Sequence, residues 1–370
     1  MKRIVLDLNS KSINALQKIW IVHHGRDRNH RDTFLSEGVI FLEFPGLSLS
    51  PKSAQDDSVI RQQLRYSQAL KAARGLQRDD GTTIRLAQFG GAAGSDVSIH
   101  LRTVKHLISR IKVGDLVIVP TKGSGGRVLF GEVSSEFFPQ RNLRIPRLDF
   151  ADTPVRKVEW LQDRPKLDLP PELAKFFEKP PAIAQVHRDS STERFFDFAY
   201  DAYSTDDKSW VSIEAPKYDG HDFLALIPPA QLFTLAVALY RAVEKRADLN
   251  GLTYEEIVLG FYDESALAHA QIKFSSAGRY NFKDKDAQLA LFINAFVALA
   301  VAGALSACSA GAEIAVENSK SPNDPASADI REMVEQASRA AGRDVLDRAE
   351  AQAREASRKM KMTTPAKVIP

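Results

Sequence analysis

A glycine-rich connector with two cations, Thr121–Arg127, has the residue types that bind an anionic group. Lys122 and Arg127 lie at its two ends, with three glycines between them. Glycines let backbone N–H groups approach a ligand closely, and two cations beside them favour negative charge. The same residues are also typical of a solvated hairpin tip, so the connector alone leaves both interpretations open.

Other chemistry is sparse in this chain. The sequence holds no Walker-type phosphate loop, zinc ligand set or serine-hydrolase elbow, and it predicts no bound cofactor. Cys308 is the single cysteine, which excludes an internal disulfide and favours a reducing cytoplasm. Its Ala/Ser/Gly surroundings predict an inert buried thiol. The formal net charge of +3 does not by itself imply nucleic acid.

Short apolar runs must position the connector. Val113–Pro120 and Val128–Val133 are rich in β-branched residues and bounded by Gly and Pro, which predicts paired strands. Helical spacing over Ile99–Ile111 predicts a helix that leads into this hairpin. Thr153–Leu161 alternates and predicts a further strand. Together with strands at Lys18–His23 and Gly38–Glu43 and a helix at Ser58–Arg74, this pattern predicts a small α+β barrel-like domain.

The second half of the chain has a helix-rich pattern. The sequence predicts helices at Ala230–Ala247 and Ala328–Met360, the latter amphipathic and suited to docking or pairing, and strands at Tyr254–Tyr262 and Ala266–Phe274. The expected fold class is therefore α+β. The expected domains are 1–187 for recognition, 188–220 as a linker, 221–325 as a helix-rich effector or oligomerisation domain, and 326–370 as a helical tail.

One apolar segment leaves the cellular location open. No charged residue occurs between Ala287 and Ala312, and Leu289–Leu305 is long enough to span a bilayer. Its flanks carry both signs of charge, so no positive-inside bias is present. The alternatives are a buried helix of a cytoplasmic protein and a contact with the inner membrane.

Five segments in order resemble the N-terminal PUA-like module attached to Mrr-type restriction endonucleases and related prokaryotic defence proteins. The matching sequences, over residues of about 18–187, are KIWIVHHGRDRNHRDTFLSEGVIFLEFP, VKHLISRIKVGDLVIVPTKG, VLFGEVSSEFF, TPVRKVEWL and the Leu-Pro pair at Leu169-Pro170. The resemblance implies a small barrel that reads nucleic acid, in some cases modified bases in DNA. The C-terminal half shows no such resemblance.

Recognition of this kind uses aromatic surfaces for the base and a basic rim for phosphates. Residues of suitable type in the resembling region are Trp20, Arg26, Lys122, Arg127, Arg156 and Trp160. The alternative places each tryptophan in the barrel core and each cation on a solvated surface.

The resemblance also raises the question of a nuclease. Mrr-type nucleases use an aspartate followed by a strand ending in Gln/Glu-x-Lys, and Asp263 with Gln271 and Lys273 is similar to that pattern. Such a set holds Mg²⁺ and positions water, with Glu255 or Glu256 as an accessory carboxylate. The alternative is an ordinary strand.

Three functional hypotheses follow. The first is a prokaryotic antiphage or restriction-type defence sensor that binds DNA, with or without a modified base, or a nucleotide-like ligand and signals through its C-terminal domain, with homo-oligomerisation through the C-terminal helices. The second is a Mg²⁺-dependent endonuclease that uses Asp263, Gln271 and Lys273. The third is a membrane-inserting defence effector.

Overall fold

A computed structural model describes residues 3–23, 30–75, 84–90, 97–121, 125–140, 153–178, 181–218, 220–263, 265, 271–273, 278–284 and 288–369. The protein is a mixed α+β protein, as expected. It divides into two compact units. We call Leu16–Ala199 the N-terminal unit, and Tyr200–Pro370 together with Met1–Ala15 the C-terminal unit.

The elements are numbered in chain order. The strands are β1 (Arg3–Asp7), β2 (Lys11–Ser12), β3 (Ile19–Val22), β4 (Val39–Phe41), β5 (Leu116–Pro120), β6 (Arg127–Val133), β7 (Phe138–Gln140), β8 (Thr153–Pro165), β9 (Ile183–Val186), β10 (Ala202–Ser204), β11 (Ser209–Ala215), β12 (Gln271–Lys273), β13 (Gly278–Asp284), β14 (Glu313–Glu317) and β15 (Lys367–Ile369). The helices are α1 (Arg31–Glu37), α2 (Asp57–Gly75), α3 (Ser98–Lys105), α4 (Pro171–Ala174), α5 (Phe195–Ala199), α6 (Ile227–Glu244), α7 (Tyr254–Phe261), α8 (Leu289–Ala302), α9 (Leu305–Ser309), α10 (Ala326–Ala340) and α11 (Arg343–Met360).

The N-terminal unit is built on one curled, half-barrel sheet with strand order β4-β8-β6-β5-β3-β9, and β7 also pairs with β8. Strand β8 is long enough to pair with two strands on one side and with one on the other. Its first half pairs with β4 and β7, and its second half pairs with β6. Strand β8 thus passes from one set of partners to the other along its length.

A buried aspartate joins β3 to β5, which run parallel. Asp115 is 3% exposed, and its carboxylate accepts hydrogen bonds from the backbone N–H groups of Lys18 and Lys112. The preceding Gly114 has φ +88°, a conformation that L side chains rarely adopt. The Gly-Asp turn therefore fixes where the central hairpin starts.

The C-terminal unit packs helices α6, α8, α10 and α11 together and covers α8 with a five-stranded sheet of order β12-β13-β11-β10-β2. A second sheet has the order β14-β1-β15, with β1 parallel to β14. The domain boundaries therefore differ from the expected ones. The first 15 residues belong with the C-terminal unit, and the expected linker 188–220 contains β10 and β11, because Val211 and Ile213 of β11 are core residues.

The apolar segment forms a shorter helix than the sequence suggested. Helix α8 has 14 residues and ends at Gly303, which adopts a left-handed conformation. At 1.5 Å per residue it is about 21 Å long, below the roughly 30 Å of a bilayer core. Every residue from Leu289 to Ala300 is buried within the unit. The expected spanning stretch Leu289–Leu305 is thus interrupted at Gly303, and its last residue, Leu305, begins a second helix, α9.

Helix α6, together with the turn before it, is long and apolar enough to cross a membrane. This stretch covers Phe223–Glu244, and 61% of its most apolar part is buried in the structure. Core helices of soluble proteins can be as long and as apolar, so this helix does not decide between cytoplasm and membrane.

Two further expectations were wrong in detail. Tyr254–Tyr262 was expected as a strand, but α7 begins there because Thr253 and Glu256 form a capping box. The expected tail helix is two helices, α10 and α11, separated at Gly342, and their apolar faces are buried in the C-terminal unit. The expected strand Ala266–Phe274 is described only at 271–273.

Candidate nucleic-acid interface

Trp20 is a core residue of the N-terminal unit. It is fully buried on β3, and its Nε1 donates to Asp115 Oδ2 at 2.8 Å. The indole therefore supports the Gly-Asp turn. An incoming base cannot stack on it without opening the sheet, so the alternative of a barrel-core tryptophan applies here.

Arg156 is also internal. Its side chain is fully buried on β8, where Nε donates to the carbonyl of Leu107 at 2.5 Å and Nη2 to that of Ile108 at 3.0 Å. These carbonyls belong to a π-helical turn, His106–Arg110, that continues α3. Nη1 reaches the Glu136 carboxylate at 3.2 Å. Burial lowers the pKa of Arg156, and Glu136 opposes that shift. Arg156 is therefore a clamp between β8 and this turn rather than part of a basic rim.

Trp160 lies half-buried on β8 and has one ring edge in the core. Its Nε1 donates to the carbonyl of Phe34 in α1 at 2.7 Å. The ring covers Gly131, where a Cβ atom would lie 2.7 Å from Trp160 Cε3. Of the two tryptophans singled out from the sequence, only Trp160 retains an exposed surface.

Arg127 is at the surface, at the first position of β6, and it is held by Asp163 of β8. Its Nε lies 3.0 Å from Asp163 Oδ1, and its Nη2 donates to the backbone carbonyl of Asp163 at 2.7 Å. The other carboxylate oxygen, Oδ2, accepts from Arg31 Nη2 at 2.6 Å. One exposed carboxylate thus links two arginines that are far apart in sequence.

The Asp163 contacts bring together two arginines that each lie near another basic residue in the sequence. Arg31 opens α1 five residues after Arg26, and Arg127 opens β6 five residues after Lys122. Arg26 and Lys122 themselves lie outside the described residues. Thr121 closes the base of the hairpin, because its N–H donates to the carbonyl of Arg127 at 2.8 Å. We call Arg31, Arg127 and Asp163 the two-arginine cluster.

Sequence reasoning missed Arg31 and Asp163. The expected strand ended at Leu161, whereas β8 continues to Pro165. The signal was the Gln-Asp-Arg run directly after Leu161, which continues the strand to its end at Pro165.

No family model, curated protein or solved structure matches this chain. At the two-arginine cluster, Arg127, which was chosen from the sequence, meets a second cation, Arg31.

Asp263, one of the three nuclease candidates, contacts Ser265 and lies 4.0 Å from Arg241 Nε. Asp263 Oδ1 accepts from the N–H and hydroxyl of Ser265 at 2.9 and 2.6 Å, and these bonds lower the pKa of Asp263. Gln271 and Lys273 lie on β12, in register with Asn281 and Arg279. Among the described residues, no group of three His, Cys, Asp or Glu side chains could hold a metal ion.

The upstream carboxylates have other roles. Glu255 pairs with Arg348 at 2.5 Å, and this contact lowers the pKa of Glu255. Glu256 accepts the N–H and hydroxyl of Thr253 in the capping box. Neither is free to serve as an accessory metal ligand without giving up these contacts.

A pocket of about 420 Å³ opens in the C-terminal unit at the N-terminal ends of α7 and α11. Its main feature is Arg348, whose guanidinium carbon lies 4.1 Å from the centre of the Tyr254 ring. Glu255 already pairs with Arg348, and Arg343, which also lines the pocket, lies 3.7 Å from Asp347. Cys308, elsewhere in the same unit, is buried as expected, and burial raises its pKa to about 11.

Proposed function

We propose that the N-terminal unit is a PUA-like module that binds nucleic acid, and that the two-arginine cluster is part of its phosphate-contacting surface. The observation that carries the proposal is the Asp163 link, which places Arg31 and Arg127 side by side at the surface. Guanidinium groups present planar, fixed donors that match phosphate geometry.

The charge distribution supports the same location. The sequence of the N-terminal unit holds more Lys and Arg than Asp and Glu, whereas the C-terminal unit has the opposite balance. Arg26, Arg28 and Lys122, which lie near Arg31 and Arg127 in the sequence, contribute to this excess of cations. Phosphate contacts supply most of the affinity in sequence-independent binding, so a local excess of cations is the electrostatic requirement.

In this proposal Trp160, with its half-exposed ring, replaces Trp20 as the candidate for contact with a base. Arg156 keeps a purely structural role. The C-terminal unit transmits the signal that nucleic acid is bound. The resemblance to defence-associated modules supports a role in antiphage or restriction-type defence. A nucleotide-like ligand shares the phosphate chemistry and is the alternative occupant.

The test measures binding of the full chain to fluorescently labelled single- and double-stranded DNA by anisotropy. We expect the double variant R31Q/R127Q to lose about tenfold or more in affinity, because two phosphate contacts are removed. The matched control is K105Q. Lys105 is an exposed cation of the same unit that pairs with Asp57 at 2.6 Å, and its loss should change affinity by less than about twofold. Equal losses in both variants would show that the cluster is not the interface.

A further inference from the structure

Asp163 fills the space between the two guanidiniums. Its two carboxylate oxygens each serve one arginine, Oδ1 at 3.0 Å from Arg127 Nε and Oδ2 at 2.6 Å from Arg31 Nη2. The side chain is 36% exposed, and that of Arg127 is 49% exposed. Solvent, and any dissolved anion, can therefore reach this carboxylate.

A carboxylate and a phosphate present the same acceptor geometry to a guanidinium, two oxygens on one centre. We propose, resting on the function proposed above, that Asp163 is a built-in competitor that occupies a phosphate site formed by Arg31 and Arg127. A nucleic-acid phosphate binds there by displacing the Asp163 carboxylate. The wild-type chain then binds nucleic acid more weakly than its cations alone would allow.

Arg127 keeps its position when the Asp163 carboxylate leaves. Arg127 Nη2 is bonded to the backbone carbonyl of Asp163 at 2.7 Å, and this contact does not depend on the side chain. The neighbouring pairing of Leu129 with Asp163 holds the strand itself in register. Arg127 thus stays in place with its Nε free to donate to a phosphate oxygen.

One hydrogen-bond donor of Arg31 has no partner. Its Nε is buried and has no hydrogen-bond partner, while Nη2 is used by Asp163 and Nη1 lies 3.6 Å from Asp32. A buried N–H without a partner is costly, and a small shift of the side chain onto a larger, multiply charged acceptor would satisfy it. A phosphate offers more acceptor oxygens than the single carboxylate.

The experiment compares D163N with wild type in the full chain, using the same labelled DNA. Asparagine has nearly the same shape and keeps an acceptor oxygen, but it removes the charge. We expect D163N to bind DNA about fivefold more tightly, the factor that breaking an exposed ion pair can release. The matched control is D57N, which removes one exposed carboxylate paired with Lys105 in the same unit. It should raise affinity by less than about twofold.

The outcomes separate the two proposals. Tighter binding by D163N than by D57N supports the competitor role. If wild type binds DNA but D163N binds equally or more weakly, Asp163 positions the arginines instead, and the competitor role is overturned while the proposed function stands. If neither wild type nor D163N binds DNA while D163N has the thermal stability of wild type, the proposed function fails, and the competitor role fails with it.

Discussion

Residues of the same type have different roles in this protein because they differ in burial. Arg127 and Arg156 were both chosen from the sequence as basic contacts, but one is exposed beside Asp163 and the other is enclosed by backbone carbonyls. Trp20 and Trp160 differ in the same way. A sequence shows that a cation or an indole is present, but the partner groups that decide its role come from distant segments.

Arg156 should be required for stability. Replacing it with alanine removes the donors to the carbonyls of Leu107 and Ile108 and leaves these buried acceptors unpaired. We expect R156A to lower the free energy of unfolding by about 2–4 kcal/mol. Chemical denaturation of the full chain measures this.

The control for R156A is R110A. Arg110 is an exposed residue of the same π-helical turn, and its replacement should change stability by less than about 0.5 kcal/mol. Equal effects of the two variants would contradict the clamp role of Arg156.

Among the elements, β8 determines most of the strand pairing in the N-terminal unit, because it pairs with β4, β6 and β7. The central hairpin was predicted correctly, since β5 and β6 lie where β-branched runs bounded by Gly and Pro placed them. The extension of β8 to Pro165 was not predicted, because its last residues are polar and pair with β6 only in the folded sheet. The strand predicted in place of α7 has a similar cause. Its apolar residues outweighed the Thr253–Glu256 capping signal.

Gly131 marks the irregular point of the β6–β8 pairing. A Cβ there would lie 2.4 Å from Val158 Cγ1 and 2.7 Å from Trp160 Cε3. We expect G131A to lower the melting temperature and to alter Trp160 fluorescence, because overpacking of this kind costs about 1–3 kcal/mol.

Gly125 provides the matched control for G131A. A Cβ at this exposed hairpin position meets nothing within 4 Å, so G125A should melt like wild type. A G131A protein with an unchanged melting temperature and spectrum would show that the sheet is looser here than the structure indicates.

At the scale of the whole molecule, the two ends of the described chain meet in the C-terminal unit. β1 lies between β14 and β15, and buried Asn294 of α8 donates to the carbonyl of Leu8 and accepts from the N–H of Ala366. Contacts between residues about 300 positions apart cannot be predicted from one sequence. Periodicity shows which face of an element is buried, but it does not show which other element covers that face. The sequence therefore could not assign a partner strand to β1, nor a partner to the polar side chain of Asn294 within its apolar helix.

Asn294 should hold both ends in place. In N294A the carbonyl of Leu8 and the N–H of Ala366 lose their buried partner, and Thr364 loses a hydrogen-bond partner as well. We expect faster amide hydrogen exchange in β1 and β15 and a loss of about 1–3 kcal/mol in stability. The exposed Asn250 gives the control N250A, which should leave exchange in both strands unchanged.

The salt dependence of DNA binding tests the central claim most directly. Affinity falls with salt in proportion to the number of phosphates that the protein neutralises, with a slope of about −0.9 per phosphate on double-stranded DNA in a plot of log K against log salt. If Arg31 and Arg127 contact phosphates, the slope for R31Q/R127Q should be shallower than the wild-type slope by about 1–2, while that for K105Q stays at the wild-type value. Parallel slopes for wild type and R31Q/R127Q would contradict the assignment of the two-arginine cluster as a phosphate-binding surface.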